Sequence, residues 1–221
     1  MPLAIFDLDN TLLNGDSDHA FGEFLIRVGA VDAVAYREGN DRYYRLYQEG
    51  RLDIREYLAF ALEPLARYPK EQLDLWHRQF MAEVITPMRL PQADALLAEH
   101  RSRGDFLLII TATNRFVTGP IAAALGVDAL IATEPAFVGG RFTGEVEGTP
   151  CFREGKVERL EAWLKESGLT LAGSWFYSDS HNDLPLLERV EHPVAVDPDA
   201  ELANLAKNRG WPILSLRQTV T

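Results

Sequence analysis

A chain of 221 residues with 47% hydrophobic and 25% charged side chains has the composition of an ordinary folded protein, able to bury roughly 70% of its unfolded surface. Its formal charge of −11 gives a field that repels nucleic-acid phosphates and anionic membranes, so neither is an expected partner, and a small anionic substrate needs local help to bind. No apolar run approaches bilayer-spanning length, the first residues lack the positive region of a secretory signal, and Cys151 is the single cysteine, which excludes an internal disulfide and a thiolate metal cluster; a cytoplasmic location is expected.

The first strand is predicted over Leu3 to about Leu8. Residues 17 to 88 contain no convincing strand and read as helices, punctuated by Gly29, Gly39, Gly50 and Pro69. From Pro91 the pattern changes: a helix leads through Gly104 into the β-type run FLLIITAT. Further strand-like runs follow in ALIATE, WFYSD, VAVD and ILSL, separated mostly by helical segments, among them NDLPLLERV after WFYSD. Residues 136 to 148 read as a β-hairpin turning at Gly139 and Gly140. Short apolar strands alternating with amphipathic helices predict an α/β fold, a Rossmann-like, mostly parallel sheet with helices on both faces. The early helices then form an insertion after the first strand. Residues 1–15 and 89–221 are assigned to the core and 16–88 to a helical cap.

Two carboxylates interrupt the end of the first strand. Strand alternation points Asp7 and Asp9 the same way, and the carboxyl ends of parallel strands border the ligand crevice. Such a pair implies a metal, a shared proton, or both. A second acidic pair, Asp179 and Asp183 with Asn182 beside it, closes the run FYSDSHND. Hard oxygen ligands from separate strand ends suit Mg²⁺. Between the pairs, Thr111 ends a strand before a helix and Lys156 opens another helix. A hydroxyl, a helix N-terminus and an ammonium can together hold a phosphate.

The motifs DLDNT, IIT, the Lys of EGKVERL and SDSHND, in this order across the chain, resemble those of the haloacid dehalogenase superfamily. The insertion site of the helices is similar to that of its phosphoserine phosphatase branch. The resemblance implies that Asp7 attacks phosphorus to form an aspartyl phosphate, and that Asp9 protonates the leaving alcohol and then activates water. It implies Mg²⁺ held by Asp7, the Asp9 carbonyl and Asp179, with Asp183 in support. It also implies phosphoryl binding by Thr111, Lys156 and backbone N–H groups around Leu8, Asp9 and Ala112. A haloacid dehalogenase, a phosphotransferase and a non-enzymatic phospho-ligand sensor share parts of this set.

In that branch an acid after the first motif meets the substrate amine, and Asp16 takes the comparable place. The arginine that holds a substrate carboxylate falls at Ala61, with Arg51 or Arg55 as possible substitutes. An amino-alcohol phosphate such as histidinol phosphate is therefore expected ahead of phosphoserine. His19 stands where the insert begins, facing either cleft or solvent. His181 reads as a solvent-facing loop residue or a substrate contact, and Cys151 as a buried inert thiol or part of the site wall. The aromatics between Asp41 and Phe60 read mostly as packing within the insert. The partner expected is a small phosphorylated metabolite, and either a monomer or a homodimer is compatible.

Overall fold

Unbroken apolar runs build the central strands. In the computed structural model, which describes residues 1–217, alternate side chains of each strand enter opposite layers. In β1 (Leu3–Phe6), Leu3 and Ile5 join one apolar cluster while Ala4 and Phe6 join another. In β2 (Phe106–Asn114), Leu108 and Ile110 divide from Leu107 and Ile109 in the same way. Both faces are covered, which is why these strands read as continuous hydrophobic runs.

Strands β3 (Ala129–Val138), β4 (Arg141–Glu147), β5 (Trp175–Ser178), β6 (His192–Val196) and β7 (Ile213–Leu214) complete a seven-stranded sheet of order β4-β3-β2-β1-β5-β6-β7. Its pairings are parallel except that of β3 with β4. Strand β1 is central, flanked by β2 and β5, so three carboxyl ends border one crevice. The run ALIATE and the first arm of the predicted hairpin form one continuous strand, β3. The hairpin turns at Gly139 and Gly140, whose φ of 57° and 83° are both left-handed, as the tight turn matching strand twist requires.

Helices α1 (Ser17–Arg27), α2 (Ala33–Gln48), α3 (Ile54–Arg67) and α4 (Lys70–Phe80) lie between β1 and β2. Asp16, Asp32 and Asp53 start the first three by accepting backbone N–H groups of the opening turn. After α4 the chain widens into a π-turn, Met81–Ile85, and runs on through α5 (Thr86–Met88). Leu13 then bridges to Arg89, and Asn14 N–H donates to the Met88 carbonyl at 2.8 Å, so the outgoing and returning segments touch. Phe21, Phe24, Leu62 and Phe80 of these helices share one apolar cluster with Phe6 and Ile109 of the sheet.

The remaining helices are α6 (Pro91–Ser102), α7 (Arg115–Leu125), α8 (Glu154–Ser167), α9 (Leu184–Leu187) and α10 (Ala200–Arg209). The helix predicted over NDLPLLERV is smaller than expected: a 3₁₀ turn, His181–Asp183, followed by the four residues of α9. Ser180 caps that turn by accepting Asn182 N–H, while Ser178 and Lys156 hold the Asp183 carboxylate. Local polar bonds of this kind compete with regular helix. Among the described residues no helix is long and apolar enough to cross a membrane.

Candidate active site

The regular part of β1 ends at Phe6, two residues before the predicted end. Asp7 N–H still donates to the Tyr177 carbonyl at 2.9 Å, after which the chain turns and Asn10 takes a φ of 58°. Asp7 and Asp9 line the same cleft, but the turn brings Asp9 there, and strand alternation does not extend to it. Its Oδ1 accepts Ser17 N–H at 2.6 Å at the head of α1, and its Oδ2 accepts the Thr113 hydroxyl at 2.8 Å.

Lys156 enters from the first turn of α8 and is 2% exposed. Its Nζ lies 2.8 Å from Asp7 Oδ1 and 2.7 Å from Asp183 Oδ1. The residue before it must be glycine for a steric reason: a Cβ on Gly155 would stand 2.1 Å from the Pro150 carbonyl oxygen. The Ser178 hydroxyl adds a bond to Asp183 at 2.7 Å. Asp183 thus spends its carboxylate on Lys156 and Ser178, orienting the ammonium. Thr11, the last residue of DLDNT, donates to Asp179 Oδ1 at 3.0 Å and accepts Asp179 N–H at 3.1 Å. That pair of bonds fixes the β5 loop against the β1 loop.

The charges do not balance. Burial pushes Asp7 up to about 7 against the pull of Lys156, with Asp183 and Asp9 adding to the rise. Asp9 is also pushed up to about 7, by burial first and then by Asp16. Asp179 stands well above the carboxylate range because it is buried beside Asp7 and Asp183. Burial draws Lys156 down, but Asp183 and Asp7 outweigh it and hold the ammonium charged. One ammonium facing several desolvated carboxylates leaves hard, negative oxygens in excess, the donor chemistry that suits a divalent cation. Asp7, Asp179 and the Asp9 carbonyl are the groups that could hold it.

Of the predicted phosphate ligands, Thr111 and Ala112 line the cleft. Thr111 Oγ1 accepts Thr113 N–H at 3.2 Å, which leaves its own proton free to donate. Leu8 is wholly buried in the core, so only its backbone can take part. Asp16 and His19 line the cleft; His19 pairs with Asp41 at 3.0 Å and packs on the Tyr44 ring. Asn182 is turned to protein partners, accepting from Arg153 at 2.8 Å and donating to the Tyr47 carbonyl at 3.2 Å. His181 is packed, not solvent-facing: its side chain is 13% exposed and bonded to Asp199 at 2.7 Å. Cys151 is buried with its thiol pushed up to about 12.

Several cleft residues escape a reading of the sequence. Thr113 lies two residues beyond Thr111 on the same strand, a spacing that carries the signal. Tyr44, Tyr47 and Tyr57 line the cleft, while Tyr43, Tyr47, Tyr57 and Phe60 pack into one apolar cluster, so aromatics expected as packing within the insert also form cleft wall. Asp18, 9% exposed, accepts the Tyr57 hydroxyl at 2.6 Å. Among the described residues no Lys or Arg is part of the lining of this cleft. Arg51 is exposed and paired with Glu49, and Arg55 borders a different surface beside Gly144.

Comparison with known proteins decides the family: the model of haloacid dehalogenase-like hydrolases matches residues 4–188. The chain is a haloacid dehalogenase-like hydrolase. A histidinol-phosphatase of Neisseria meningitidis is 50% identical to this hydrolase over 219 residues, spanning 97% of the chain and 99% of that protein. A protein of Bordetella pertussis Tohama I superposes with a TM-score of 0.92 at 46% identity, covering 97% of the hydrolase and 98% of that chain. A substrate-bound phosphoserine phosphatase shares the fold, with a TM-score of 0.72 at 20% identity over 99% of this chain and 94% of its own.

Proposed function

We propose that this phosphatase hydrolyses histidinol phosphate, or a closely similar amino-alcohol phosphate, through an aspartyl phosphate on Asp7. The observation that carries the substrate reading is the cleft beside Asp7, whose wall offers the carboxylates of Asp16 and Asp18 and, among the described residues, no Lys or Arg apart from Lys156, which is bonded to Asp7 and Asp183. Histidinol phosphate brings an amine and an imidazole and no carboxylate. Phosphoserine brings a carboxylate that would lie here unpaired, at a cost of about 1–3 kcal/mol or more. The 50% identity to a histidinol-phosphatase along nearly the whole chain supports the same choice.

In the first half-reaction an Asp7 carboxylate oxygen bonds to phosphorus as the ester P–O bond breaks. The proton on Asp9 passes to the leaving alkoxide. In the second, Asp9 takes a proton from water, the water oxygen bonds to phosphorus, and the P–O bond to Asp7 breaks to release inorganic phosphate. Lys156 and Thr111 hold phosphoryl oxygens, Thr113 and Ser17 N–H orient Asp9, and Asp183 aims Lys156. Asp7, Asp179 and the Asp9 carbonyl would hold Mg²⁺, which would supply charge neutralisation at the phosphoryl group. We place the catalytic core at residues 1–15 and 89–221 and the substrate-selecting insert at 16–88.

The test is the specificity constant of the purified protein with Mg²⁺ toward histidinol phosphate, phosphoserine and p-nitrophenyl phosphate. The reading expects histidinol phosphate to lead. A far higher value for phosphoserine would overturn it. Transfer of phosphate to an added alcohol in place of water would favour a phosphotransferase.

A further inference from the structure

Asp16 and Asp18, which line the cleft together with Asp7 and Asp9, differ in their bonding. Asp16 Oδ1 accepts the N–H groups of Asp18 and His19 at 2.9 Å each, the usual work of a helix N-cap. It also stands close enough to Asp9 to be the charge that raises it most. Asp18 lies one step inside α1, 9% exposed, with Oδ2 accepting the Tyr57 hydroxyl at 2.6 Å. Among the described residues its Oδ1 accepts a hydrogen bond from Asn114 Nδ2 alone, at the limiting distance of 3.5 Å. Among the described residues no Lys or Arg bonds to Asp18.

A carboxylate so buried is costly unless a cation or several donors compensate it. Its position in the first turn of α1 favours negative charge through the helix dipole, yet that effect needs no burial and no phenol. Asp18 faces the cleft, where the Tyr57 ring packs edge-on against Tyr43 with centroids 5.5 Å apart. A short bond from Tyr57 fixes the carboxylate plane, and aromatic faces beside it attract flat, positively charged groups.

We propose that Asp18, oriented by Tyr57, is a specificity-determining residue that receives the substrate's nitrogen group farthest from the phosphate, while Asp16 receives the nearer amine. The inference rests on the proposed function and deepens it: two positive or N–H-bearing groups on the substrate meet two separate carboxylates. In histidinol phosphate the distal group is the imidazole ring. The same subsite would take any planar nitrogen heterocycle carried by an amino-alcohol phosphate.

The test compares two substrates and three variants. Alaninol phosphate keeps the amine and the phosphate ester of histidinol phosphate and lacks only the ring. Wild type should prefer histidinol phosphate in kcat/KM, and Asp18→Asn should shrink that preference roughly tenfold or more. The amide keeps an acceptor for Tyr57, so the loss reports charge and not packing. Tyr57→Phe should shrink the preference in the same direction, and it carries the test if Asp18→Asn folds poorly. Asp16→Asn should lower both substrates together. A preference within about twofold of wild type in Asp18→Asn, or in Tyr57→Phe where that variant carries the test, would overturn the inference and leave the phosphatase reading intact. A wild type that releases no phosphate from either ester would overturn the functional reading itself.

Discussion

Lys156 Nζ lies 2.8 Å from Oδ1 of Asp7, buried, with Asp183 holding the ammonium from the other side. The arrangement sets one ammonium among the carboxylates of the site and ties the head of α8 to the end of β1. Removing it strands several desolvated carboxylates. Lys156→Met should reduce kcat/KM by roughly a hundredfold or more, as loss of a preorganised charge does. Without divalent cations it should also cost about 3–5 kcal/mol of stability in denaturant unfolding, because one partner of a buried ion pair is gone. Pairing the change with Asp183→Asn should recover part of the stability and none of the activity.

Gly155 should resist substitution because its surroundings leave no room for a side chain. A methyl 2.1 Å from the Pro150 carbonyl cannot be accommodated by a side-chain rotation, since the obstacle is backbone. Gly155→Ala should therefore shift the first turn of α8 and move Lys156. Expected outcomes are a lower thermal midpoint and a fall in kcat, with a destabilisation of about 1–3 kcal/mol.

The acidic cleft gives the protein an inverted dependence of stability on pH in the absence of metal. Burial raises Asp9 and Asp18 to about 7 and Asp16 to about 6, from an ordinary value of 3.8. Between these limits the folded state binds more protons than the unfolded chain, so these groups add stability at low pH and lose it as pH rises. In chelator, their contribution should fall from about pH 4 to about pH 7, read as a falling thermal midpoint. Added Mg²⁺ should raise the midpoint more near neutral pH than near pH 5, because binding to ionised oxygens stabilises the folded state. Asp179→Asn should remove most of that Mg²⁺ effect.

Cys151 is fully buried, and its thiol is pushed up to about 12 by burial, which outweighs Lys156 and Arg159. Its thiolate is scarce at pH 8 and its sulfur is inaccessible. A thiol reagent should leave the native protein unmodified and react with one equivalent after unfolding. Cys151→Ala should keep most of the activity.

Much of the site is legible in the sequence because its residues are tied to strand ends. Asp7 and Asp179 stand directly after β1 and β5, and Thr111, expected to end its strand, stands inside β2, which runs on to Asn114; each marks the point where a polar residue breaks an apolar run. The helical insert is equally visible from its periodicity, whereas its caps Asp16, Asp32 and Asp53 emerge only in the structure. What stays hidden depends on contacts across the chain. Nothing local marks Thr113 as the partner of Asp9, 104 residues away, or Tyr57 as the partner of Asp18, 39 residues away. The tyrosines of α2 and α3 repeat at helical spacing whether they face a core or a cleft. His181 reads as a loop residue and is half-buried against Gly50 of the insert, which leaves room for its ring: a Cβ there would stand 2.5 Å from Nε2.

The most direct measurement is a chemical trap of the phosphoryl group. The protein is mixed with substrate and Mg²⁺, quenched in acid during turnover, reduced with borohydride and mapped by peptide mass spectrometry. Reduction of an aspartyl phosphate leaves homoserine, and the account predicts that product at position 7, with none in Asp7→Asn. Turnover with no modification at position 7, or with the phosphoryl group on another residue, would contradict it.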